Sequence, residues 1–246
     1  MIYFIGAGPG DVELITIKGK KLLENCDVVI YAGSLVNPEL LKYAKDGAKI
    51  YNSATMNLDE IIDAMKDAFE KGADVARLHT GDPSIYGAIR EQMEALDKLA
   101  IPYEVIPGVS SFSAAGAVLK RELTVPGQSQ TIILTRVEGR TPVPEEESLD
   151  ALAKHKATMA IFLSINQIEK IAEDLAKVYG SDAPIAVVYK ATWEDQKIVQ
   201  GTLSDIAEKV KEAGICKTAL ILVGNFLSDE YDFSCLYNKT FSHEYR

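Results

Sequence analysis

Short apolar runs alternate with stretches of helical spacing along the whole chain, and within its first 110 residues three of those runs lead directly into loops of small residues. Such alternation is what a parallel sheet fed by crossover helices needs, and it predicts an α/β fold. Strands are expected at Ile2–Ile5, Asp27–Tyr31, Ala48–Tyr51, Asp74–His79 and Tyr103–Ile106. Between the third and fourth, Leu58, Ile61, Ile62, Met65 and Phe69 recur on one helical face. Asn57 and Glu60 have the spacing of a capping box, and Gly72 stands where a helix would stop. That stripe is read as packing surface, not as a binding feature.

A second series has strands near Thr131–Leu134, Thr158–Leu163, Pro184–Tyr189 and Ala219–Val223, with helices near Gln167–Tyr179 and Ser204–Ala213. The stretch from Leu119 to Gln130 breaks the periodicity around Pro126 and Gly127. Read as a linker, it divides the chain into an N-terminal α/β domain over 1–118 and a C-terminal α/β domain over 119–246. The loop from Gly139 to Ser148, rich in proline and glutamate, is read as a solvated connection.

Composition excludes several classes of function. A hydrophobic fraction of 47% and a charged fraction of 25% are those of a soluble globular protein, and no apolar run approaches the ~20 residues that span a bilayer. The chain starts at once with strand-like residues, without a secretory leader, so a cytoplasmic location is expected. Cys26, Cys216 and Cys235 form no CxxC pair, and His79, His155 and His243 are equally scattered, so no metal site is expected. A net charge of −10 works against a nucleic-acid partner.

The first strand runs into Gly6-Ala7-Gly8-Pro9-Gly10-Asp11. A dinucleotide loop would have its third glycine where Asp11 stands, and Pro9 lacks the N–H that would cradle a phosphate. A helix-compatible segment with Leu14, Ile17, Leu22 and Leu23 follows, and Asp11 can serve as its N-cap or as part of a binding loop. These departures suit a ligand without phosphates. The second loop is Thr80-Gly81-Asp82-Pro83-Ser84-Ile85-Tyr86-Gly87, and the third runs from Pro107 to Ala115. Loops leaving the carboxyl ends of parallel strands gather on one sheet edge, where ligands bind.

These residues resemble the S-adenosylmethionine-dependent tetrapyrrole methyltransferases, a family with a glycine-proline-glycine opening, a Gly-Asp-Pro loop and a Pro-Gly-Val-Ser segment. The resemblance spans nearly the whole chain. The segments Tyr31 to Glu39, Gly81 to Gln92, Arg121 to Pro126 and Thr240 to His243 are most similar to the branch that methylates carbon 11 of precorrin-4 or cobalt-precorrin-4 on the way to cobalamin. The resemblance implies two α/β domains with the cofactor in the cleft between them, S-adenosylmethionine as that cofactor, a tetrapyrrole substrate and a homodimer. It carries cofactor contacts to Pro9, Gly81, Asp82, Ile85, Ser110, Ser111, Leu163 and Ala191.

Methyl transfer from a sulfonium is an in-line displacement that orientation and a dry site can accelerate, and no catalytic dyad is evident. Asp82 is read as fixing its loop or binding cofactor, not as a general base, and Tyr86 as a wall of the substrate pocket. The substrate's acetates and propionates call for arginine or lysine. Candidates are Arg77, Arg90, Lys120, Arg121, Arg136 and Arg140, with Arg121 and Arg136 favoured because they flank the domain junction. Trp193 and the tyrosines near it could face the macrocycle, but aromatic residues are more often core. Alternatives are a uroporphyrinogen-III C-methyltransferase, against which the Tyr31–Glu39 segment argues, a nicotinamide oxidoreductase, and a non-catalytic binding module.

Overall fold

The computed structural model describes residues 1–139 and 141–234. Two compact α/β units make it up: Met1–Ala114 with Ala191–Glu194, and Ala115–Lys190 with the chain from Asp195 on.

The first unit holds a five-stranded, all-parallel sheet built from β1 (Ile2–Gly6), β2 (Val28–Tyr31), β3 (Lys49–Asn52), β4 (Val75–His79) and β5 (Tyr103–Ile106), in the order β3-β2-β4-β1-β5. The inner strands β2, β4 and β1 are covered on both faces, and apart from Arg77 and His79 on β4 their buried side chains are apolar. Ile5, Val29, Ala76 and Leu78 meet α1 (Ile17–Leu23) and the turn at Pro38–Tyr43 on one side. Ile2, Phe4, Ile30 and Val75 meet α2 (Leu58–Glu70) and α3 (Arg90–Lys98) on the other. Each such Val, Leu, Ile or Phe side chain, fully buried, contributes about 1.5–3 kcal/mol over leaving it in water.

The capping box at Asn57 and Glu60 forms as expected, and Gly72 ends the turn after α2 at φ +72°. The first helix starts later than the expected segment. Asp11 caps only a short 3-10 turn at Val12–Leu14, accepting from the Glu13 N–H, and Thr16 caps α1 by accepting from the Gly19 N–H. Leu14 is therefore outside α1. The third small-residue loop opens into a further helix, α4 (Ser111–Leu119).

The second unit has β6 (Ile132–Arg136), β7 (Thr158–Phe162), β8 (Pro184–Tyr189), β9 (Lys197–Thr202) and β10 (Ala219–Val223), in the order β6-β7-β10-β8-β9. β6 and β7 are parallel and the other pairs antiparallel. Helices α5 (Leu149–Ala153), α6 (Ile168–Tyr179) and α7 (Ile206–Glu212) flank it. Ile168, Ile171, Ala172 and Leu175 give α6 its buried stripe against Met159, Val187 and Ile221. β9 is the strand missing from the sequence reading: as an edge strand it buries little, so its apolar alternation is faint. Among the described residues no helix is long and apolar enough to cross a membrane.

Candidate functional site

Three loops meet at the carboxyl edge of the first sheet because glycine lets their backbones touch. The Ala7 N–H donates to the His79 carbonyl at 2.8 Å, and Gly8 and Gly81 exchange backbone hydrogen bonds of 3.3 and 2.8 Å. Gly8 and Gly81 have φ of +79° and +61°, values that glycine adopts without strain. A Cβ on Gly6 would stand 2.5 Å from the Gly108 Cα, and one on Gly108 would stand 2.2 Å from the Gly81 oxygen. The first, second and third loops are thus one backbone-packed assembly.

Asp82 locks the second loop to the third. One carboxylate oxygen accepts from the Ser84 N–H at 2.8 Å and from its hydroxyl, and the other accepts from the Gly108 N–H at 2.8 Å. Burial raises the Asp82 carboxyl, but these hydrogen bonds outweigh it and hold the group below its ordinary 3.8. Asp82 is ionised near neutrality and committed to the loop.

The first loop is clasped from two other places. The Asn37 Nδ2–H donates to the Gly10 carbonyl at 2.9 Å, which gives the Tyr31–Glu39 segment a structural role. Ala191–Glu194 lies against Pro9 to Asp11: the Trp193 Nε1–H donates to the Pro9 carbonyl at 2.9 Å, and the Asp11 N–H donates to the Thr192 hydroxyl at 3.0 Å. A Cβ on Gly10 would strike Trp193 at 2.1 Å. Trp193 is a half-buried lid on the glycine loop, a role that no periodicity around it signals.

Of the expected cofactor contacts, Pro9, Gly81, Asp82, Ile85, Ser110, Ser111 and Ala191 come together in the first unit, while Leu163 belongs to the second. Ser110 and Ala191 are buried. Tyr86 is exposed and, like Ala88, has positive φ, at +54° and +48°. Leu163, Lys190 and Thr192 share that conformation at +54°, +47° and +70°. Such strain in non-glycine residues concentrates where a loop must present groups in a fixed way.

In the second unit Leu163, 67% exposed, lines an open cavity of about 310 Å³ with Arg136, Val137, Gly139, Thr141, Asn166 and Gln167. Arg136 donates to the Thr141 and Pro142 carbonyls at 3.0 and 2.7 Å, and Arg121 pairs with Asp229 at 2.7 Å. Both favoured arginines therefore already have protein partners. Arg77 is 5% exposed within the first unit, which removes it from the candidates for a substrate carboxylate. Arg140, Cys235 and the Thr240–His243 segment lie outside the described residues. Among those described, no cluster of three or more His, Cys, Asp or Glu could hold a metal.

This fold and its loops define a tetrapyrrole methylase: the model of the family described as Tetrapyrrole (Corrin/Porphyrin) Methylases matches residues 1–207, and the chain belongs to that family. It is 61% identical to the cobalt-precorrin-4 C(11)-methyltransferase of Methanocaldococcus jannaschii, over 100% of this chain and 95% of that one. The X-ray structure of a cobalt precorrin-4 methyltransferase, described as a cobalamin biosynthetic enzyme, matches with a TM-score of 0.89 and 49% identity over 92% of this chain and 95% of that one. A uroporphyrin-III C-methyltransferase from Thermus thermophilus, solved with S-adenosylhomocysteine, matches with a TM-score of 0.77 and 28% identity, covering 92% and 93%.

Proposed function

We propose that this chain is an S-adenosylmethionine-dependent C-methyltransferase acting at carbon 11 of a precorrin-4 ring, with or without cobalt, in cobalamin biosynthesis. The observation that carries the cofactor reading is the use of the first loop's donors. The Gly8 N–H is spent on Gly81, Pro9 has none, and the Asp11 N–H is spent on Thr192. From Gly8 to Asp11 that leaves at most the Gly10 N–H, too few donors to cradle a pyrophosphate, which disfavours a nicotinamide dinucleotide. A glycine-faced surface with few free donors instead suits adenosine and an amino-acid group.

Pro9, Gly81, Asp82, Ile85, Ser110, Ser111 and Ala191 are the proposed cofactor residues, with Leu163 as a further contact. When bound, the sulfonium supplies an activated methyl group for displacement by an electron-rich ring carbon. The protein's part is to orient it and exclude water. Asp82, tied to Ser84 and Gly108, shapes the loop and takes no proton. Arg121, Arg136 and Tyr86 are proposed for the substrate side. The homodimer and the cytoplasmic location belong to the same reading.

Calorimetry with S-adenosylmethionine, S-adenosylhomocysteine and NAD in parallel tests the cofactor. Binding of the first two and not the third is expected; binding of NAD alone would overturn the reading. Incubation with precorrin-4 and cobalt-precorrin-4 and a 13C-labelled methyl donor then reads the ring position by NMR. Label at any position but carbon 11, as a uroporphyrinogen methyltransferase would give, would overturn the regiochemistry.

A further inference from the structure

Arg77 stands in the middle of β4, buried, yet among the described residues no acidic side chain pairs with it. Burial alone lowers its guanidinium from 12.5 to about 10, so it stays charged at neutral pH. An unpaired buried cation is costly and persists only where many groups hydrogen-bond it. Its Nε donates to the Gln92 Oε1 at 3.2 Å. Its Nη1 faces the Ser53 hydroxyl at 3.1 Å and the Ile30 and Leu78 carbonyls at 3.4 and 3.5 Å.

Both side-chain partners pass the contact on. The Gln92 Nε2–H donates to the Ala88 carbonyl at 3.0 Å, at the end of the strained Tyr86–Ala88 turn. The Ser53 hydroxyl donates to the Tyr31 carbonyl at 3.2 Å, where β2 opens into the segment whose Asn37 holds Gly10. One guanidinium, with donors fixed in a plane, thereby sets the start of one loop and the end of another.

We propose that Arg77 is a positioning residue for the cofactor, acting through Gln92 on the Tyr86–Ala88 turn and through Ser53 on the Tyr31–Asn37 loop. This rests on the cofactor reading of the Gly81–Gly87 loop. Its dependence on a relay distinguishes it from simple core packing. Gln92→Glu keeps an acceptor for Arg77 and supplies the missing counter-charge, but it replaces the donor to Ala88 with a repelling oxygen.

The test is calorimetry with S-adenosylhomocysteine, melting temperature and steady-state kinetics on the wild type, Gln92→Glu and Arg77→Lys. Gln92→Glu is expected to melt no lower than wild type while losing roughly 10-fold in affinity, with KM for S-adenosylmethionine rising in parallel and kcat within about two-fold. Arg77→Lys, whose ammonium cannot span Gln92 and Ser53, is expected to melt lower, yet to raise KM for S-adenosylmethionine with kcat within about two-fold, and covers the case in which Gln92→Glu does not fold. Wild-type affinity in a folded Gln92→Glu or Arg77→Lys overturns the proposal, as does loss of affinity in step with melting temperature in Gln92→Glu. A wild type that binds no S-adenosylhomocysteine overturns the cofactor reading instead.

Discussion

The Nε1–H of Trp193 donates to the carbonyl of Pro9 at 2.9 Å, which sets the only tryptophan of the chain against the first glycine loop. Tryptophan emission therefore reports on the surroundings of that loop. Saturation with S-adenosylhomocysteine should shift the emission spectrum. Trp193→Phe keeps an aromatic face over Gly10 but removes the donor, a loss of ~1 kcal/mol, so affinity should fall about five-fold with the fold intact. Emission that stays constant while calorimetry records binding would separate Trp193 from the ligand.

Gly108 should tolerate no side chain. A Cβ there would lie 2.2 Å from the Gly81 oxygen and 2.7 Å from the Gly6 Cα, backbone atoms that cannot move without parting the three loops. Gly108→Ala is expected to lose at least ~10-fold in S-adenosylhomocysteine affinity. Gly47→Ala is the matched control: its φ is +78° but among the described residues nothing lies within 4 Å of the added Cβ. It should cost about 1 kcal/mol of stability and leave affinity unchanged.

Asp82 separates a loop-fixing carboxylate from a general base. Asp82→Asn retains acceptor capacity towards Ser84 or Gly108, so kcat should stay within about ten-fold of wild type with KM for S-adenosylmethionine raised. A base would cost ~10²–10⁴ in kcat. Asp82→Ala, which frees the Gly108 N–H as well, should lose more affinity than Asp82→Asn. Because its hydrogen bonds hold the carboxyl below 3.8, the stability Asp82 adds is present above that value and lost as pH falls further, through the folded group's lower pKa.

Most of the first unit was legible because its signals are local: continuous apolar strands, a capping box at Asn57, and small residues after β1, β4 and β5. The loops' union through Gly6, Gly81 and Gly108 follows once the sheet is parallel, since glycine marks where backbones touch. What sequence could not supply was long-range. Trp193 and Thr192 lie more than 180 residues from the loop they clasp, and no pattern near them points to Pro9 or Asp11. Arg77 looked like a carboxylate binder because its charge suggests a surface; only packing shows it enclosed and held by neutral acceptors. β9 escaped because an edge strand has too little buried surface to impose alternation.

His79 should make the protein acid-labile above the range in which carboxylates titrate. It follows Arg77 by two residues on β4, is 4% exposed, and its Nε2 has no hydrogen-bond partner among the described residues. Burial, then the charge of Arg77, lowers it from 6.5 to about 3, with only a small opposing pull from the Gly87 backbone. The folded chain thus keeps the imidazole neutral while the unfolded chain protonates it below 6.5. Stability is full above that value and falls as pH drops towards 3, by up to ~1.4 kcal/mol per pH unit from this group. Urea unfolding at pH 7, 6 and 5 should show the decline, and His79→Asn, which has no such proton to take up, should flatten it. Equal pH slopes for the two proteins would mean that the imidazole reaches solvent and that the layer beneath the sheet edge is open to water.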